Sequence, residues 1–156
     1  MTSYEFALLV HLLGVLLFFG GALVAGVVFE AARRRDHPSE IALLLGVTRV
    51  GALLVAVGAI LTVGGGLWLA DEVDQYGEGW LQVSLALFVL ALALGGFGGQ
   101  RPKRARRLAR RLAADGDVAN PELRRLLDDP VSLVANYASS ALVLVILLLM
   151  VWQPGR

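Results

Sequence analysis

The sequence predicts an all-α fold, an integral membrane bundle of four helices with both termini outside the membrane. Three observations carry that prediction. First, 57% of the 156 residues are hydrophobic and mean hydropathy is +0.70, too apolar for a soluble domain with a polar shell. Second, the apolar residues gather in four blocks, 6–29, 50–70, 81–97 and 133–152, near the ~20 helical residues that cross a hydrocarbon core of ~30 Å. Third, no block alternates as a strand would, and a helix satisfies its own backbone groups where there is no water. The spans are placed at 5–30, 48–70, 80–98 and 132–152, with a polar loop at 100–130.

Charge orients the chain. Arg33, Arg34 and Arg35 follow the first span, and Arg101, Lys103, Arg104, Arg106, Arg107, Arg110, Arg111, Arg124 and Arg125 separate the third from the fourth. The opposite loop, "DEVDQYGEG" (71–79), carries Asp71, Glu72, Asp74 and Glu78 and no base. The positive-inside rule then puts both basic loops in the cytoplasm. Trp68, Trp80 and Trp152 fall at the outer ends of their spans, as interfacial anchors do. The amino terminus lacks the basic residues of a signal peptide, and "RRR" after the first span acts as a stop. Arginine-rich composition, with a single lysine, fits a GC-rich bacterial genome. The expected location is a bacterial cytoplasmic membrane.

Within the polar loop, "RPKRARRLARRLAAD" (101–115) sets Ala105, Leu108, Ala109 and Leu112 on one face among arginines. That pattern predicts a basic amphipathic helix lying on anionic lipid, with Arg104, Arg107 and Arg111 as headgroup contacts. No aromatic residue interleaves these arginines as a base-stacking surface needs, so nucleic acid is not the expected partner. "NPELRRLLDD" (120–129) predicts a second short helix, with Asn120 capping and Pro121 in its first turn.

Small residues spaced by four mark the expected packing faces: Ala22/Gly26, Gly58/Thr62/Gly66 and Ala91/Gly95/Gly99. The run Gly64-Gly65-Gly66 weakens a helix and opens room beside it. The small-residue faces also leave room for a homodimer.

Absence of cysteine excludes disulfide exchange, thiolate metal sites, iron–sulfur clusters and covalent c-type haem. No carboxylate lies within the four apolar blocks, which counts against a proton-coupled antiporter. Of the intramembrane polar residues, Asn136, Ser139 and Ser140 are expected to hydrogen-bond between helices. Arg49 reads as a snorkelling anchor first and an anion or carboxylate contact second. His11 is the one ionisable side chain in 6–29. In the outer half of the bilayer it shares a layer with Gly66, Gln82, Ser84 and Met150. One reading is a neutral imidazole bonded to Gln82 or Ser84. Another is an axial ligand to haem iron, with Met150 as a thioether partner. A Ser–His hydrolase would need an orienting acid, for which Glu5 is the near candidate.

The layout resembles the HemJ-type protoporphyrinogen oxidases and the related copper-resistance D membrane domain, and is similar still more to small bacterial four-helix proteins allied to them. "HLLGVLLFFGG" (11–21) resembles that family's first helix, with His11 at its haem-ligand histidine. "TVGGGLWL" (62–69), "GWLQVSLALFVLAL" (79–92) and "LVLVILLLMVWQP" (142–154) resemble its second, third and last helices. The resemblance implies haem b held by His11 beside Gly66, Ser84 and Met150, and an electron-transfer or porphyrin-handling role. One position departs: aligned on Trp80-Leu81, the family's third-helix lysine falls at Ser84, and serine cannot replace an ammonium in catalysis or ligation. The alternatives are a cofactor-free transporter, channel or accessory subunit in which His11 is structural or pH-sensing, and a lipid-binding scaffold acting through 101–125.

Overall fold

The computed structural model describes residues 2–154, and every regular element among them is a helix. In order these are α1 (Ser3–Arg33), α2 (Pro38–Glu72), α3 (Gly79–Gly98), α4 (Gln100–Ala114), α5 (Pro121–Leu127) and α6 (Pro130–Trp152). Four helical runs are long and apolar enough to cross a membrane: Ser3–Arg33, Pro38–Glu72, Gly79–Ala114 and Pro121–Trp152. Between 11% and 22% of the apolar stretch of 18 residues in each run is buried within the chain. Leu16, Leu23, Leu53 and Ile60 are among the many large apolar side chains left exposed, a surface that only hydrocarbon solvates without penalty.

The helix ends follow local chemistry. Thr2 and Glu5 form a reciprocal capping box at the start of α1, each side chain bonding the other's backbone N–H. Pro38 opens α2 and Pro130 opens α6, where a missing N–H costs nothing. Asp129 caps α6 by accepting from the Ser132 N–H at 2.9 Å.

The chain divides into two compact units. The first holds α1, α2, the later part of α4 from Arg106 and the turn to Asn120. Here α1 and α2 run antiparallel along a seam of small residues that repeat every seven positions: Ala7, Gly14 and Gly21 on α1, Gly51, Gly58 and Gly65 on α2. A Cβ on Gly21 would stand 2.6 Å from the Gly51 carbonyl oxygen, and one on Gly58 would meet the Phe18 backbone nitrogen. The two backbones touch because neither side carries a Cβ there.

This corrects one expected face. Gly26 meets nothing within 4 Å and Ala22 is exposed. A step of four residues overshoots a turn by about 40°, so it leaves the seam within two steps, whereas a step of seven stays near it.

The second unit holds α3, the start of α4 to Ala105, α5 and α6. Ser84, Phe88, Ala91 and Gly98 are the buried side of α3. The Ser139 hydroxyl donates to the Ala91 carbonyl at 2.8 Å, and Gly95 lies against the same hydroxyl. The small-residue face continues through Gly98, where a Cβ would stand 2.5 Å from Asn136 Oδ1, and not through Gly99. Ser140 bonds the Asn136 carbonyl within its own helix at 3.0 Å, so its expected interhelical role is corrected as well.

Both expected helices of the polar loop form, as α4 and α5. Ala105 and Ala109 are wholly covered by the chain itself. Two positions of the apolar stripe of α4 are therefore covered by protein, Leu108 and Leu112 are half-buried, and Arg104, Arg107 and Arg111 stay exposed. α2 begins at Pro38, well before the span start at 48, and its 35 residues measure about 52 Å. The surplus over a ~30 Å core is its first turns, where Pro38, Ile41 and Leu45 are buried. Asp117 docks the turn after α4 onto that end, accepting from the Ser39 N–H at 2.7 Å and the Ser39 hydroxyl at 2.6 Å.

Candidate functional site

The first unit sets His11 at the α1–α2 seam. Gly65 makes this possible, since a Cβ there would stand 2.6 Å from the His11 backbone nitrogen and 2.8 Å from its Cα. Gly66 sits under the ring itself, with Nδ1 at 3.0 Å and Cε1 at 3.1 Å from where its Cβ would be. Gly64, the third of the run, meets nothing within 4 Å. Two of the three glycines thus admit the histidine.

The imidazole is held by one hydrogen bond, 2.8 Å between Nδ1 and the Thr62 carbonyl oxygen. A carbonyl can only accept, so Nδ1 carries the proton and donates. In the neutral ring Nε2 is then a free lone pair. This is the tautomer found in metal-bound histidines, whose second nitrogen donates to a carbonyl or carboxylate. The Thr62 hydroxyl is buried and has no partner among the described residues.

The expected partners of His11 are corrected by this bond. Gln82 donates instead to the Tyr76 carbonyl, at 3.4 Å. Ser84, in the second unit, is 2% exposed and its hydroxyl is buried without a partner among the described residues. Met150, in the same unit, is half-buried. Glu5 is engaged in the capping box and does not orient the imidazole. His11 and Gly66 are thus brought together within one unit, and Ser84 and Met150 belong to the other.

The tryptophans divide too. Trp68 is exposed and meets Phe6 edge-on at 5.8 Å, and its indole N–H is shared between the Ser3 hydroxyl and the Glu72 carboxylate. Ser3 and Glu72 are themselves hydrogen-bonded, which ties the end of α2 to the start of α1. Trp80 is buried and its N–H has no partner among the described residues, so it is not an exposed anchor. Trp152 is exposed.

Among the described residues no group of three His, Cys, Asp or Glu side chains gathers to hold a bare metal ion. Any metal at His11 would have to bring most of its own ligands, as the iron of a macrocycle does.

Comparison with known proteins agrees with the span pattern. No curated protein and no solved structure matches the chain. Residues 5–154 match the family described as predicted integral membrane protein (DUF2269). Four apolar helices and a family match across nearly the whole length lead to one conclusion: the chain belongs to the DUF2269 family of integral membrane proteins.

Proposed function

We propose that this protein holds haem b within the membrane through His11 and serves electron transfer or porphyrin handling. The observation that supports this most is the Nδ1–H···O=C bond to Thr62, which leaves the Nε2 lone pair uncommitted in an apolar span. Gly66 beneath the ring and the unpartnered Thr62 hydroxyl fit a site that accepts a further group. Bound haem would supply one-electron redox chemistry. His11 would fix the iron, and the Thr62 carbonyl would hold the ring's tautomer and orientation. The HemJ-type resemblance supports the reading through His11, while serine at position 84 argues against lysine-dependent oxidase chemistry. The proposal rests on His11 and Gly66. Ser84 and Met150 carry no part of it.

A second reading has its own support. The same bond, with Gly65 and Gly66 closing on His11, makes the histidine a complete interhelical staple with no cofactor. Absorption separates the two. The protein is purified in mild detergent and scanned oxidised and dithionite-reduced, alone and after added haemin, beside His11→Ala. Soret and reduced α and β bands in the wild type, lost in His11→Ala, support the haem reading. A wild type that stays colourless with haemin overturns it and leaves the staple.

At the membrane surface, the exposed arginines Arg104, Arg107 and Arg111 would contact anionic headgroups. Charge would carry most of that contact, because protein already covers Ala105 and Ala109 of the apolar face of α4.

A further inference from the structure

α3 and α4 form one helical run, Gly79–Ala114, but the junction between them is weak. Gly99 keeps helical angles, and its N–H bonds the Gly95 carbonyl at 3.0 Å. Pro102 then has no N–H to offer the Gly98 carbonyl, and the next bond, from the Lys103 N–H to the Gly99 carbonyl, is stretched to 3.4 Å. Packing accounts for Gly95 and Gly98, which lie against Ser139 and Asn136 of α6. It does not account for Gly96, which meets nothing within 4 Å, or for Gly99, which meets only carbonyls of its own helix. Glycine without a packing partner weakens a helix relative to alanine, and helices bend where glycines and a proline gather. The far end of α4 is held by one carboxylate, that of Asp117 on the Ser39 N–H and hydroxyl. Junction and latch are separated by the 15 residues of α4, about 22 Å of helix.

We propose that α4 is a strap with two resting places: against the protein while Asp117 holds Ser39, and on the surface of an anionic bilayer when that latch opens. Its two faces fit both. Ala105 and Ala109 are wholly covered and Leu108 and Leu112 half-buried, so protein occupies the apolar face in the latched state. Lys103, Arg104, Arg107, Arg110 and Arg111 are exposed, and none forms a hydrogen bond or ion pair among the described residues. Other bases near the membrane are answered by acids: Arg33 and Arg34 by Glu30, Arg35 by Glu40, Arg101 by Asp129. An apolar stripe flanked by uncompensated cations is what a helix needs to lie in the headgroup layer, apolar side down. Two alanines and two leucines bury little area there, so lipid charge decides the balance. The base of α4 is tied to the end of a span, which keeps a swinging helix at headgroup depth. The proposal rests on the headgroup contact of Arg104, Arg107 and Arg111, and it does not depend on His11 or on haem.

The full-length protein in lipid nanodiscs tests this, with discs of phosphatidylcholine beside discs in which half the lipid is phosphatidylglycerol. The chain has no cysteine, so a fluorescent dye at Lys103→Cys reports on the basic face and one at Leu108→Cys on the apolar face. Doxyl-labelled lipid quenches either dye on contact. Hydrogen exchange in peptides covering Ser39 follows the latch in the unlabelled protein. Anionic lipid should raise quenching at Leu108→Cys roughly twofold or more and speed exchange at Ser39. Asp117→Gly tolerates the left-handed turn and loses the carboxylate, so it should raise that quenching further in anionic discs than in neutral ones. Gly96→Ala combined with Pro102→Ala stiffens the junction and should at least halve the rise. Quenching at Lys103→Cys without quenching at Leu108→Cys leaves the headgroup contact standing and overturns the strap, and quenching at neither overturns both. An undiminished rise in the stiffened variant overturns the proposal. So does equal quenching of Asp117→Gly in the two kinds of disc, since lipid charge would then play no part. Ser39 exchange unaltered by anionic lipid overturns it whatever the dyes report, because a dye at Leu108→Cys that pries α4 loose would be quenched without the latch opening by itself.

Discussion

At the scale of single residues, glycines decide where helices meet, and they are not interchangeable. Gly58 lies against the backbone of Phe18, which cannot rotate away as a side-chain tip can. Gly58→Ala should therefore force α1 and α2 apart and cost about 1–3 kcal/mol. Gly26→Ala fills open space and should leave stability unchanged or slightly raised, in line with the helix preference for alanine. Thermal unfolding of the two variants in one detergent checks the contrast, and equal losses would refute the seam. His11 could be singled out from sequence because it is the lone ionisable group in its span. Its partner could not, because Thr62 offers a backbone carbonyl, and every residue has one.

At the scale of elements, α2 is joined to the turn after α4 by one carboxylate. Asp117 sits at φ +56° beside Gly116 at φ +108°, a left-handed turn that aims it at the first turn of α2. The hydroxyl and N–H of Ser39 hold the Asp117 carboxyl below the usual range, desolvation opposes them, and His37 adds a smaller lowering. A depressed folded pKa contributes stability above the unfolded pKa, about 4 for aspartate, and loses it as pH falls through the folded value. Unfolding midpoints should therefore drop on acidification below about pH 4 in the wild type. Asp117→Asn, lower at neutral pH, should show a flatter acid limb, and parallel curves would remove the latch.

A second element-scale prediction concerns α6. Ser139→Ala removes the bond to Ala91 on α3 and should cost about 0.6 kcal/mol, the average for such bonds in bilayers. Ser140→Ala removes a bond within one helix and should cost less, which denaturation in mixed micelles measures. Capping and amphipathic periodicity made α4 and α5 readable in advance. The cover over Ala105 and Ala109 was not, because periodicity marks an apolar face without saying whether lipid or protein meets it.

At the scale of the whole molecule, the charge asymmetry predicts orientation. The natural sequence has no cysteine, so single cysteines report without background. In intact bacterial cells, a membrane-impermeant maleimide should label Asp74→Cys, and Val118→Cys, exposed in the basic segment, only after lysis. Labelling of Val118→Cys in intact cells would invert the assignment.

By itself the sequence determined the class of this protein: an all-helical membrane chain of four spans in the DUF2269 family, with its polar segment and its one conspicuous histidine. These are properties of composition, block length and charge, which do not require a knowledge of neighbours. Tertiary structure alone decided the rest: the seven-residue seam of α1 and α2, the Thr62 carbonyl that sets the tautomer of His11, and the burial of Trp80. Each of these depends on which side of a helix faces another helix. In a span that is apolar all round, hydrophobic patterning carries no record of that choice, and close contact between backbones makes it.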